Sequence, residues 1–230
     1  MTQTTEPGTG PVTHSGTREG WTEIADATAL TALLGEPTER VRTKARPFLS
    51  ELDVAWLASS PFCVIATAAA AGGADASPKG DPAGHLVHVI DETTIALAER
   101  PGNRRADGYR NILENPHVGL LFVIPGRGDT LRVNGRARLV SDAPFFDDLV
   151  VKGHRPLLAL VVDIDEVFHH CAKAFTRSSL WDPETWDPEV RVPRRAVVAH
   201  ELDRPESTVA ELDEYYGPSY AEGLYRNPVA

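Results

Sequence analysis

The apolar positions change period along the chain. Residues 26–35, DATALTALLG, read as a short helix closed by Gly35. Residues 47–60, PFLSELDVAWLASS, read as a second helix, with Leu49, Leu52, Ala55 and Trp56 on one face. Helical spacing then gives way to β-branched runs. PFCVIATAAA (61–70), HLVHVID (85–91) and TTIALAE (93–99) predict three strands, the last two joined by a tight turn at Asp91 and Glu92. HVGLLFVI (117–124) predicts a buried strand ended by Pro125-Gly126. DTLRVNGRARLV (129–140) alternates strictly. Leu131, Val133, Ala137 and Leu139 share one face, and Arg132, Asn134, Arg136 and Arg138 the other. APFFDDLVVKG (143–153) reads as a short helix, LLALVVDIDEVFHH (157–170) as a last long strand, and ESTVAELDEYYG (206–217) as a closing helix. Six strands in sequence with turn-like links pair antiparallel, and helices at the margins suggest a barrel. The strict strand–helix alternation of a doubly wound sheet is absent.

One helix interrupts the strands. In ERPGNRRADGYRNILENP (99–116), Pro101 and Gly102 break the chain and Asn103 is a good N-cap. Tyr109, Ile112 and Leu113 follow at helical spacing, and Asn115-Pro116 stops the helix. Arg104 and Arg105 are then expected in its first turn, where the dipole favours a carboxylate. A docked anion would explain them, because guanidinium–phosphate bonds are charge-assisted. A solvated pair neutralised by Glu99 or Asp107 would explain them equally well.

Composition narrows the function. The net charge of −10 argues against a general nucleic-acid binder, which needs a basic face. No apolar run is long enough to cross a membrane. The first twenty residues lack a basic start and an apolar stretch, so they read as a flexible tail rather than a secretory signal. The expectation is a cytoplasmic protein with a tail over 1–20 and one domain over 21–230. Cys63 and Cys171 are too few for a disulfide framework and read as buried reduced thiols. His169 and Cys171 can share a strand face, but without a carboxylate partner at the usual spacing no metal site is expected.

Three further stretches bear on binding. ASPKGDPAG (76–84) reads as a loop between strands, either an ordinary hairpin link or a surface lying flat against a planar ligand. Arg132 stands nearest the loop end of its strand, where sites gather. In HHCAKAFTRSSLW (169–181), Lys173 and Trp181 pair a cation with a flat aromatic, a combination suited to a planar anionic cofactor. Dinucleotide, Walker, nucleophile-elbow and zinc-protease motifs are absent.

Taken together, SPKGDP, ERPGNRRADGYRNILENPHVGLLFVIPG, TLRVNGRARLV and CAKAFTRSSLWDP resemble the pyridoxamine 5′-phosphate oxidase-like flavoproteins, and more narrowly an actinobacterial-type branch of them. The resemblance covers about residues 49–183. It implies an antiparallel split β-barrel with peripheral helices, forming a homodimer with FMN at the interface. In the family a Ser-Arg-Lys triplet holds the flavin phosphate. Asn103, Arg104 and Arg105 stand in its place and inherit that role. Ser77, Pro78, Lys79 and Gly80 fall where the family's strand passes the isoalloxazine ring. Thr130 stands where the family has a flavin-side Gln, a departure, and Trp181 matches a late aromatic near the cofactor. The family's Arg-x-His arrangement for pyridoxal recognition is missing, which argues against pyridoxamine phosphate as the substrate. The implied function is an FMN-dependent oxidoreductase acting on a small molecule. Alternatives are an F420- or haem-binding split barrel, or a non-catalytic flavin-binding protein. No catalytic residue is assigned; Lys79, Asp81 and His85 are candidates by proximity alone.

Overall fold

A computed structural model describes residues 18–186 and 192–225. Most of the expected tail, residues 1–17, lies outside the described residues. The chain divides into two compact units, one ending at Lys44 and one starting at Ala45. The first holds α1 (Ala27–Leu34) and α2 (Glu39–Arg42). Helix α1 starts where Asp26 accepts a hydrogen bond from the Ala29 N–H, and stops at Gly35, whose φ of 80° suits glycine.

The second unit opens with α3 (Glu51–Ser59). Ser50 and Asp53 cap it reciprocally. Its buried face is Asp53, Trp56 and Leu57, so of the expected face Trp56 and the preceding Leu49 are buried and the other two residues are not. Leu52 is 78% exposed and Ala55 is exposed too. The rotation follows from Asp53, which is drawn inward by Arg46 at 2.8 Å and by the Ser50 hydroxyl at 2.6 Å. Burial alone would raise the Asp53 pKa, but the Ser50 and Arg46 bonds outweigh it and hold the carboxyl below its usual value.

The strands are β1 (Phe62–Ala68), β2 (Ala74–Gly80), β3 (His88–Asp91), β4 (Thr94–Ala98), β5 (His117–Val123), β6 (Thr130–Val140) and β7 (Ala159–His170). They form one antiparallel sheet in the order β2-β1-β5-β6-β7-β4-β3. Seven strands stand where six were expected. The addition is β2, which occupies much of the stretch read as a loop. Its Pro78 lacks an N–H, but β2 is an edge strand with one pairing side free, and there proline is tolerated. The 129–140 alternation is borne out, with Leu131 and Val133 fully buried and Arg136 and Arg138 exposed.

The sheet curls around one apolar cluster that includes Leu57, Ile65, Leu97, Leu120, Phe122, Leu131, Val133, Val162 and Val167. Polar ties bring its ends together. Lys79 at the end of β2 pairs with Glu99 just after β4, and Asp81 pairs with Arg100, both at 2.7 Å. This is the split barrel. Helix α4 (Asp107–Glu114) lies against it through buried Ile112 and half-buried Tyr109. Leu113, expected on the same face, is 74% exposed. The Asn111 and Asn115 amides donate to the Thr67 hydroxyl and the Ala68 carbonyl, pinning α4 to β1.

After β7 come α5 (Lys173–Ser178), α6 (Arg195–Leu202), α7 (Val209–Tyr215) and α8 (Pro218–Glu222). The stretch read as a short helix at 143–153 contains a 3-10 helix, Pro144–Leu149. Among the described residues no helix is long and apolar enough to cross a membrane.

Candidate functional site

A cavity of about 490 Å³ opens between β2, the 99–106 segment and α4. That volume is within the range of small-molecule sites. Inner-face positions of β2 supply Asp75, Ser77 and Lys79, opposite Thr67, Ile65 and Cys63 of β1. Helix α4 sits close. A Cβ on Gly108 would come within 3.0 Å of the Asp75 carboxylate and 3.5 Å of the Thr67 hydroxyl, so any other residue there would push the Asp75 side chain aside.

The segment before α4 departs from the expected cap. The helix begins at Asp107, and its N-cap is Ala106, not Asn103. Asn103 instead turns its side-chain oxygen to the Arg105 N–H at 3.1 Å, an Asx turn that folds Arg104 and Arg105 ahead of the helix. Arg104 and Ala106 both take left-handed backbone, with φ of 60° and 56°. Each non-glycine residue held so costs about 1–2 kcal/mol. The two arginines differ. Arg105 is exposed and ion-paired with Asp107, which raises its pKa further. Arg104 makes no side-chain hydrogen bond or ion pair with any described residue, and it lines the cavity. Deeper in, Lys79 donates to Glu99 at 2.7 Å and to the Tyr109 hydroxyl at 2.9 Å. Burial and the neighbouring Glu99 charge push the Tyr109 phenol well above its usual value.

The model of the pyridoxamine 5′-phosphate oxidase family matches residues 49–171, more than half of the chain. The chain belongs to this family. Similar solved structures include HupZ of group A Streptococcus, at 16% identity over 53% of this chain and 93% of that one, TM-score 0.43. A pyridoxamine 5′-phosphate oxidase-related, FMN-binding protein of Nostoc punctiforme is 13% identical over 53% and 84%, TM-score 0.37. An F420 reductase is 18% identical over 49% and 93%, TM-score 0.36. No curated protein matches the chain. The assignment rests on the family match alone.

Of the positions that the family resemblance and the sequence singled out, the cavity gathers Ser77, Pro78, Lys79, Asn103, Arg104 and Arg105. Gly80 closes β2 just beyond its rim. The other four lie elsewhere, around the junction of β6 and β7. Thr130 is buried and pairs with His170. The Arg132 guanidinium lies 4.7 Å from the Phe168 ring centre. Trp181 stacks on Phe175 and donates its indole N–H to the Arg127 carbonyl at 2.7 Å. Lys173 opens α5, next to Ala172, on which the Gly128 turn packs. Asp81 is buried, paired with Arg100, and accepts from the Tyr225 hydroxyl at 2.8 Å. It and His85 do not line the cavity. Cys63 is buried as expected, with its thiol pushed up to about 12, whereas Cys171 is exposed because it follows the last strand residue. Sequence reasoning missed the Glu99–Tyr109 pairing, having read Tyr109 only as an apolar face residue.

Proposed function

We propose that this chain is an FMN-dependent oxidoreductase whose cofactor phosphate docks on Asn103, Arg104 and Arg105. The observation that carries the reading is Arg104. It is a cation with no side-chain partner among the described residues, held in strained left-handed backbone on the wall of a cavity sized for a small molecule. Arg104 would form the charge-assisted bonds and Arg105 would add to the local field. The Lys79 ammonium and the β2 backbone at Ser77 and Pro78 would face the ring. Bound there, the flavin supplies hydride or electron chemistry. The chain's share is to hold the phosphate, orient the ring and present Lys79 to it.

The expected contacts at Thr130, Arg132, Lys173 and Trp181 do not line this cavity, and the family resemblance implies a homodimer. Pro78, Val64, Leu121, Arg132 and Phe168 are successive register partners across five strands. They lie on the face opposite Ser77 and Lys79. That outer face also carries Phe62, 38% exposed, and half-buried Val123. That outer face is where a second copy would pack in the proposed homodimer. The missing Arg-x-His arrangement points to a substrate other than pyridoxamine phosphate.

The test is the visible spectrum of the purified protein, followed by identification of the released chromophore. Oxidised-flavin bands and free FMN are expected. Released F420, a haem Soret band, or a colourless protein that ignores added FMN would overturn the proposal. A flavin-loaded protein that never turns over would leave a flavin-binding protein without the oxidoreductase activity.

A further inference from the structure

Lys79 is the centre of a three-membered group in the cavity wall. Its ammonium has three N–H bonds. One goes to Glu99 and one to Tyr109, and its nitrogen lies 4.8 Å from the Tyr109 ring centre. The Tyr109 hydroxyl donates to the same Glu99 oxygen. Among the described residues the third ammonium proton has no partner, which leaves it for whatever occupies the cavity. The three side chains come from β2, from the residue after β4, and from α4, so three separate elements fix the direction of one cation. The Lys79 and Glu99 side chains are 20% and 30% exposed. The pair is mostly buried, so its charges act on the cavity through little intervening water.

We infer that Glu99 and Tyr109 are positioning residues that set how strongly Lys79 favours the reduced form of a bound flavin. The inference rests on the FMN reading above. Reduction adds negative charge to the ring, so a nearby ammonium tightens binding of the reduced form more than of the oxidised form. The Glu99 carboxylate offsets part of that field. Tyr109 holds both groups in place without adding charge.

The experiment measures dissociation constants for oxidised FMN and, anaerobically, for reduced FMN, and takes their ratio, oxidised over reduced. For Lys79→Met the ratio is expected to fall about tenfold, and for Glu99→Gln to rise about tenfold, the size of one charge acting across a partly buried site. Tenfold corresponds to ~30 mV in the two-electron potential of the bound flavin, which spectroelectrochemistry reads independently. Lys79→Arg should keep the wild-type ratio, and Tyr109→Phe should lower it in the same direction as Lys79→Met but by less, because the ammonium loses one of the two bonds that aim it. Shifts of the same sign in K79M and E99Q, or no shift in either, would overturn the assignment while leaving FMN binding intact. If a substitution unfolds the protein, the K79R ratio still decides, because loss of the ratio there would refute a charge-based role. Failure of the wild-type protein to bind FMN in either form would overturn both readings, and is distinguishable from a bound flavin with an unmoved ratio.

Discussion

Replacing Arg104 with glycine separates two effects that alanine would mix. In the folded chain Arg104 has φ of 60° and no partner among the described residues. Left-handed backbone costs a non-glycine residue about 1–2 kcal/mol, which glycine avoids. Glycine also loosens the unfolded chain, which takes back about 0.4–1 kcal/mol. The net gain is about 0–1.6 kcal/mol, and for a chain of this size ~1 kcal/mol raises Tm by about 2–4 °C. The apo-protein should therefore melt at or slightly above the wild-type temperature. Ligand binding moves the other way. A hydrogen bond to a charged group contributes about 1.5–3 kcal/mol, so Kd for FMN should rise roughly 10- to 150-fold. Scanning calorimetry of the apo-protein and fluorescence titration with FMN read the two quantities separately. Arg105→Ala should cost less affinity, because Arg105 is already engaged by Asp107. An unchanged FMN Kd in Arg104→Gly would refute the phosphate assignment. A fall of several degrees in Tm would refute the strain argument.

Three further outcomes follow from the fold. Gly135→Ala places a Cβ 2.1 Å from the Asp163 carbonyl oxygen, a backbone atom at the irregularity between β6 and β7, and should destabilise by about 3 kcal/mol or more, read as a lowered urea midpoint. The Asp53 pKa is lowered in the folded chain, so its contribution is present above the unfolded carboxylate value near ~4 and is lost as pH falls through the folded value; Asp53→Asn should flatten stability against pH below that point in acid titrations followed by circular dichroism. Alkylation of the native protein should label Cys171 and spare Cys63, with both labelled after unfolding, as peptide mass spectrometry would show.

Much of the barrel was legible because its strands obey local rules. The alternation of β6 appears directly in the burial of Leu131 and Val133. Asn115-Pro116 ends α4 after Glu114, and Gly35 ends α1, both as their local chemistry dictates. What was lost depended on distant partners. Strand β2 carries Ser, Pro, Lys and Gly at its end, which is turn chemistry on paper, and only its place at the sheet edge makes it a strand. The inward turn of Asp53 needs Arg46 and His169, the latter at 3.1 Å and more than a hundred residues away. The start of α4 slipped from Asn103 to Ala106 because an Asx turn competes with a cap for the same side-chain oxygen. The Lys79–Glu99–Tyr109 group joins residues separated by 20 and 30 positions, and no local pattern announces it. Family resemblance placed the two halves of the site in one ligand. The single chain keeps Arg132 on the sheet face opposite Ser77 and Lys79, and Lys173 and Trp181 beyond the last strand.

The most direct test of the central claim is a paired titration of the cofactor-free protein with FMN and with riboflavin, which differ only in the phosphate. The account predicts that FMN binds more tightly by at least about tenfold, since the phosphate gives Arg104 a charge-assisted partner that no described residue supplies. Equal affinity for the two, or binding of neither, would contradict it.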